Sequence, residues 1–120
     1  MAAHVLVVED SLLISSALRI LLETNGYSVG VAGTAADAIE AAAASPPDVM
    51  LLDLTLPDGD GIEVVESLKR RKALPRVTIA MTGHADASSR QKCLQAGCAE
   101  VLLKPVPIGE LLRRIERHLA

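Results

Sequence analysis

Four short apolar runs punctuate the chain: residues 5–8 (Val-Leu-Val-Val), 49–52 (Val-Met-Leu-Leu), 77–81 (Val-Thr-Ile-Ala-Met) and 101–103 (Val-Leu-Leu). Unbroken apolar runs of this length, rich in β-branched residues, suit strands covered on both faces. A fifth segment, residues 27–31 (Tyr-Ser-Val-Gly-Val), alternates more and holds a glycine, as an edge strand can. Between the runs, apolar positions recur at helical spacing. Ile14, Ala17, Leu18, Leu21 and Leu22 form one stripe, and Ile108, Leu111, Leu112, Ile115 and Leu119 form another. The pattern predicts strand and helix alternating five times.

Punctuation supports this division. Gly26 and Gly97 stand where left-handed caps would close the first and fourth helices, the fourth expected over residues 87–96. Thr34 with Asp37 resembles a capping box that opens an Ala-rich second helix, which Pro46-Pro47 ends. The basic run Lys69-Arg70-Arg71-Lys72 fits the end of a third helix, where cations complement the helix dipole. Alternating units of this size imply right-handed crossovers and a parallel sheet with helices on both faces. A chain of 120 residues supports one such domain, expected to span residues 1–120.

Composition and charge narrow the function. Half of the residues are hydrophobic but only 1% are aromatic, Tyr27 alone, so the core is aliphatic. Binders that stack bases on aromatic side chains are therefore poorly supported. Twelve Lys and Arg against fifteen Asp and Glu give a formal charge of -3, without the basic excess that grips phosphate backbones, so no direct nucleic-acid contact is expected. Cys93 and Cys98, in a C-x4-C spacing, match neither a zinc nor a thioredoxin-type pattern and read as two small buried thiols. No apolar run approaches the ~20 residues that span a bilayer. The first run leads into Glu9-Asp10 instead of a small-residue cleavage site, so a soluble, cytoplasmic chain with no membrane partner is expected.

In a parallel α/β sheet, function gathers at the carboxyl ends of the strands. The polar residues after the runs are Glu9-Asp10, Asp53, Thr82 and Lys104. Three carboxylates in close quarters repel and call for a compensating cation. All-oxygen ligation with a few carboxylates and room for water is what Mg2+ prefers. Beside a fixed ammonium, such a pocket can receive a phosphoryl group. Asp53 would be the nucleophile, Glu9 and Asp10 would hold the metal, Lys104 would neutralise equatorial oxygens, and the Thr82 hydroxyl would donate to one of them.

Glu9-Asp10 in Val-Val-Glu-Asp, Asp53 in Leu-Leu-Asp-Leu-Thr-Leu-Pro-Asp-Gly-Asp-Gly, Thr82 in Met-Thr-Gly-His, and Lys104-Pro105 occur in an order and spacing that, together, are highly specific. Over essentially all of its length the chain resembles the receiver domains of bacterial two-component response regulators, the single-domain chemotaxis receiver included. The resemblance implies a doubly wound five-stranded parallel sheet in the flavodoxin-like order 2-1-3-4-5, with five helices on both faces. It implies that the metal ligands are Glu9, Asp10, Asp53 and the backbone carbonyl of Thr55, and that Lys104-Pro105 is a cis peptide. It further implies a sensor histidine kinase or histidine phosphotransfer protein as donor. The resemblance also implies that catalysis is limited to phosphorylation and dephosphorylation of the chain's own aspartate, which would make the chain a switch more than an enzyme. Partner surfaces are expected to shift on phosphorylation, toward a downstream effector or a fused output domain, and pairing of two copies through the fourth and fifth helices is a family habit. Thr55 and His84 would flank the path of the hydrolytic water and tune phosphoryl lifetime. One departure stands out: where many receivers carry Tyr or Phe three residues before the lysine, this chain has Val101, so the usual aromatic toggle is missing.

Blander readings compete. Glu9-Asp10 taken singly fits a solvated helix start. Asp58-Gly59-Asp60-Gly61 lacks the ligand spacing of a calcium loop and suffices as a Gly-rich turn into the third helix. Leu12 falls opposite the first helical stripe and should face solvent; with Leu13 and Ile20 at the stripe's margin it is a candidate apolar docking patch. Two other functions stay open. A haloacid-dehalogenase-like phosphohydrolase shares an Asp-Leu-Thr nucleophile motif, but places its nucleophile after an early strand and its metal-binding acids late. A degenerate receiver serving only as an interaction module is left open by Val101.

Overall fold

Val-Leu-Val-Val becomes an inner strand of a sheet because both of its faces can be covered. In the computed structural model, which describes residues 3–83 and 87–120, β1 (His4–Val8) pairs in parallel with β2 (Ser28–Ala32) on one side and β3 (Val49–Asp53) on the other. Leu54 alone separates β3 from a short hairpin, β4 (Thr55–Leu56) with β5 (Gly59–Asp60), which stands apart from the main sheet. β6 (Val77–Thr82) and β7 (Glu100–Leu103) complete the sheet in the order β2-β1-β3-β6-β7. Counting only its five strands, this is the expected doubly wound order 2-1-3-4-5.

Five helices link the strands: α1 (Leu12–Thr24), α2 (Ala35–Ala44), α3 (Gly61–Arg70), α4 (Ala87–Ala96) and α5 (Ile108–Leu119). Successive strand residues point to opposite faces, so the sheet has two aliphatic cores. Leu6, Val8, Met50, Leu52, Ala80 and Val101 face α2, α3 and α4. Val5, Val7, Leu51, Ile79 and Met81 face α1 and α5, where Leu18, Leu22, Leu111 and Ile115 bury. Helix α4 is the exception, because Cys93 is its only fully buried side chain.

The caps fall where the punctuation places them. Gly26 and Gly97 have positive φ after α1 and α4, Thr34 accepts from the Asp37 N–H, and Lys69 and Arg70 occupy the last turn of α3. The expected α1 stripe needs correction: Ile14 is 43% exposed, and Leu13 and Ile20 lie well outside the core at 83% and 67%, whereas Ser15 is buried. At ~100° per residue, the middle of the arc set by Leu18 and Leu22 lies about 40° from Ser15 and about 60° from Ile14. A serine can take that central place because its hydroxyl donates back to the Leu12 carbonyl. Leu12, at 79% exposure, faces solvent as expected.

A carboxylate pocket at the strand ends

Strand register brings the site together. Val8 stands opposite Leu52, Asp53 opposite Met81, and Thr82 opposite Leu103, so the residues that end or follow four adjacent strands gather at one edge. Main-chain bonds hold this edge: the Glu9 N–H donates to the Ala32 carbonyl, Leu54 N–H to Met81, and Lys104 N–H to Thr82.

Asp53 is 2% exposed. One of its oxygens accepts the Lys104 ammonium at 2.6 Å, and the other accepts the Thr55 backbone N–H at 2.9 Å. The cis Lys104-Pro105 peptide expected from the resemblance is present directly after the lysine. Carboxylate oxygens of Glu9, Asp10 and Asp53 all lie within 4.8 Å of one another. Glu9 is buried, accepts the Ser11 N–H, and has a pKa raised to about 7, chiefly by desolvation with the Asp53 charge adding to it. Asp10 is exposed, which leaves one side of the pocket open to water. An all-oxygen set of three carboxylates, one side wet, matches what Mg2+ takes from proteins. The residues present therefore fit the implied ion.

Thr82 is buried at 6% exposure at the end of β6, beside this cluster in the sheet. Thr55 is exposed at the start of the hairpin. His84 lies outside the described residues. Val101 is 7% exposed and packs into the core shared with α3 and α4, so a small inward side chain fills the place of the aromatic ring. Cys93 and Cys98 are both free and buried, and burial pushes the Cys98 thiol up to about 12.

Two features escaped the sequence reading. Gly61 begins α3 under the site: an added Cβ would stand 2.6 Å from the Asp53 carbonyl oxygen and 2.8 Å from the Leu54 Cα, so only glycine lets the helix start this close. Its place in an Asp-Gly-Asp-Gly turn was the available signal. Asp58 also lies outside the turn's own geometry, since its two oxygens accept the Ala35 and Ala36 N–H groups at the start of α2. Nothing local in the sequence marks that contact, which joins residues 23 apart.

Comparisons with known proteins agree with this geometry. Residues 5–116 match the family described as the response regulator receiver domain. The transcriptional regulatory protein KdpE of Mycobacterium tuberculosis is 41% identical over 111 residues, covering 92% of this chain and 48% of that protein. The chain thus spans about half the length of that relative. A CheY-like response regulator receiver domain from Methanospirillum hungatei superposes with a TM-score of 0.89 at 30% identity, covering 99% of this chain and 94% of that one. The receiver domain of the sensor histidine kinase PA1611 from Pseudomonas aeruginosa, described with a magnesium ion coordinated in its active-site cleft, superposes with a TM-score of 0.81 at 29% identity, covering 98% and 97%. The fold, the acidic pocket and the matched length agree, and the chain belongs to the response regulator receiver family of two-component signalling.

Proposed function

We propose that Asp53 is the phosphoacceptor of this receiver, taking a phosphoryl group from a phosphohistidine. The observation that carries the reading is the state of the Asp53 carboxylate, buried yet oriented at both oxygens, by Lys104 and by the Thr55 N–H, next to Glu9 and Asp10. In the transfer, an Asp53 oxygen attacks phosphorus as the P–N bond to imidazole breaks, and the bonding pair leaves with the ring nitrogen. Hydrolysis by water later returns the carboxylate and inorganic phosphate.

Glu9, Asp10, Asp53 and the Thr55 carbonyl would hold Mg2+, which when bound supplies neutralisation of the phosphoryl oxygens. The Lys104 ammonium supplies a second, fixed positive charge and must release Asp53 as the acyl phosphate forms. The Thr82 hydroxyl, one strand over, would donate to a phosphoryl oxygen. The phosphoryl group on Asp53 draws Lys104 and Thr82 toward its oxygens, and this biases the β6, α4 and β7 segments toward another partner surface. Thr55 and His84 would set the lifetime of the acyl phosphate by lining the path of the hydrolytic water.

The donor would be a sensor histidine kinase or histidine phosphotransfer protein. The exposed Leu12, Leu13 and Ile20 of α1, next to the acidic edge, give it an apolar surface to dock on. Whether the output is a separate effector or a fused domain follows from the rest of the protein, and the regulators that the chain matches are about twice its length. Among the described residues no helix is long and apolar enough to cross a membrane. The test is intact mass of the wild type and Asp53→Asn after incubation with Mg2+ and a small acyl-phosphate donor. A labile gain of one phosphoryl group on the wild type alone is expected. No gain from that donor or from a phosphohistidine protein would leave an interaction module, and donor consumption without adduct would favour a hydrolase.

A further inference from the structure

Asp58 is exposed and lies five residues beyond the acceptor. Its bonding is nonetheless specific. One oxygen accepts the Ala35 N–H at 2.7 Å and the other accepts the Ala36 N–H at 3.1 Å. The next amide of α2, that of Asp37, is taken by the Thr34 hydroxyl at 3.1 Å. The first three N–H groups of the helix are thus satisfied, one by the local cap and two by a residue from another part of the chain. These two bonds hold the Asp58 carboxyl below its usual range.

The bonds close a ring around the pocket. The segment from Asp53 to Gly61 is an excursion fixed at its base, where the Gly61 N–H donates to the Leu54 carbonyl and the glycine packs on Asp53 and Leu54. Thr55 lies on its rising limb, with its N–H on Asp53, and Asp58 is at its tip. The β2 to α2 connection, on the other side, is tied to the acidic pair, because the Glu9 N–H donates to the Ala32 carbonyl and Gly33 lies against the backbone of Glu9 and Asp10. Asp58 is the bridge between the two sides. Without it, the hairpin keeps its base, its own short ladder and the buried Leu56, but its tip and the exposed Thr55 limb lose their tie to α2.

We infer that Asp58 is a positioning residue for the metal and acceptor site: by clamping the β4–β5 tip onto the start of α2, it holds the Thr55 peptide against Asp53 and at a fixed distance from Glu9 and Asp10. The inference rests on the reading of Asp53 and Thr55 given above. Outer partners of this kind set ligand orientation without touching the ion.

The test compares wild type, Asp58→Ala, Asp58→Asn and Thr34→Ala by three measurements: urea stability, exchange of the Thr55 amide in chelator, and Mg2+ affinity by titration calorimetry. Thr34→Ala removes a cap from the same helix without touching the hairpin, so it controls for simple loss of helix stability. Asp58→Asn removes the charge but keeps one acceptor oxygen. Asp58→Ala is expected to speed Thr55 exchange and to weaken Mg2+ by about tenfold, the low end for outer-shell partners. Thr34→Ala should change neither, and Asp58→Asn should retain most of the affinity. If Asp58→Ala follows Thr34→Ala in both site readouts, Asp58 is only a helix cap. If Asp58→Asn is as weak as Asp58→Ala, the effect is charge and the clamp is wrong. Failure of the wild type to bind Mg2+ would overturn the functional reading, while Thr55 exchange would still decide the clamp.

Discussion

Replacing Lys104 by methionine tests how the pocket balances its charge. The substitution keeps the length of the side chain and removes the ammonium that lies 2.6 Å from Asp53. At an effective dielectric of about 20, unit charges at this separation attract by roughly 6 kcal/mol before desolvation is counted. Removing one partner of a fully buried pair costs roughly 3–5 kcal/mol, because the other charge is left unpaired. The Asp53 side chain is 3% exposed but that of Lys104 is 34% exposed, so water already screens one end and a loss of about 2–3 kcal/mol is expected. The assay is urea unfolding in chelator, followed by circular dichroism. Near pH 8, above the raised Glu9 pKa, Glu9 is charged and the full loss should appear. Near pH 6 the loss should shrink, since Glu9, with its pKa near 7, keeps a proton that relieves the cluster. Mg2+ should bind the variant more tightly than wild type, because a competing cation is gone, even though phosphoryl transfer falls. A stability change below about 0.5 kcal/mol at the higher pH, the size of an ordinary surface substitution, would refute this reasoning. So would weaker Mg2+ binding.

Other outcomes follow from the same geometry. The raised Glu9 pKa means that the metal-free fold binds more protons than the unfolded chain between the ordinary value of 4.5 and about 7. Its contribution to stability is therefore whole below that window and lost across it, by up to about 3 kcal/mol, and urea midpoints in chelator should fall as pH rises through the window. Mg2+ affinity, measured by calorimetry, should move the opposite way and weaken as pH drops through about 7, since a proton must leave Glu9 first. Gly61→Ala should destabilise by roughly 1–3 kcal/mol, the usual cost of overpacking, because its Cβ meets backbone that cannot turn aside; a urea midpoint equal to wild type would exclude that contact. Cys98 should react with an aromatic disulfide near pH 8 no faster than the chain unfolds, since its thiol is pushed up to about 12. Leu12→Ala should leave stability within about 0.5 kcal/mol of wild type, and should slow phosphoryl transfer from the cognate donor if α1 is the docking surface.

The sheet was legible because its signals are local. Runs of three to five apolar residues mark strands covered on both faces, and the first polar residue after each run marks the functional edge. Glu9, Asp53, Thr82 and Lys104 need only the parallel register to meet. The facing of α1 was less legible, because Ile14 and Ser15 are both near the buried arc and only packing chooses between them. The β4–β5 hairpin is two residues a side, too short for any period to show. The Asp58 clamp, and the network in which Arg114 and His118 of α5 both reach Glu100 of β7, join residues far apart in the chain and carry no local mark.

The thin attachment of α4 has an evolutionary consequence. A helix that buries Cys93 and rests Ala96 against the core leaves seven of its ten positions exposed, answering mainly to solvent or to a visiting protein. Substitutions there test partner choice and scarcely test folding. A lineage can thus rewrite whom this domain addresses, one surface residue at a time, while the chemistry at Asp53 and the aliphatic sheet beneath it stay untouched.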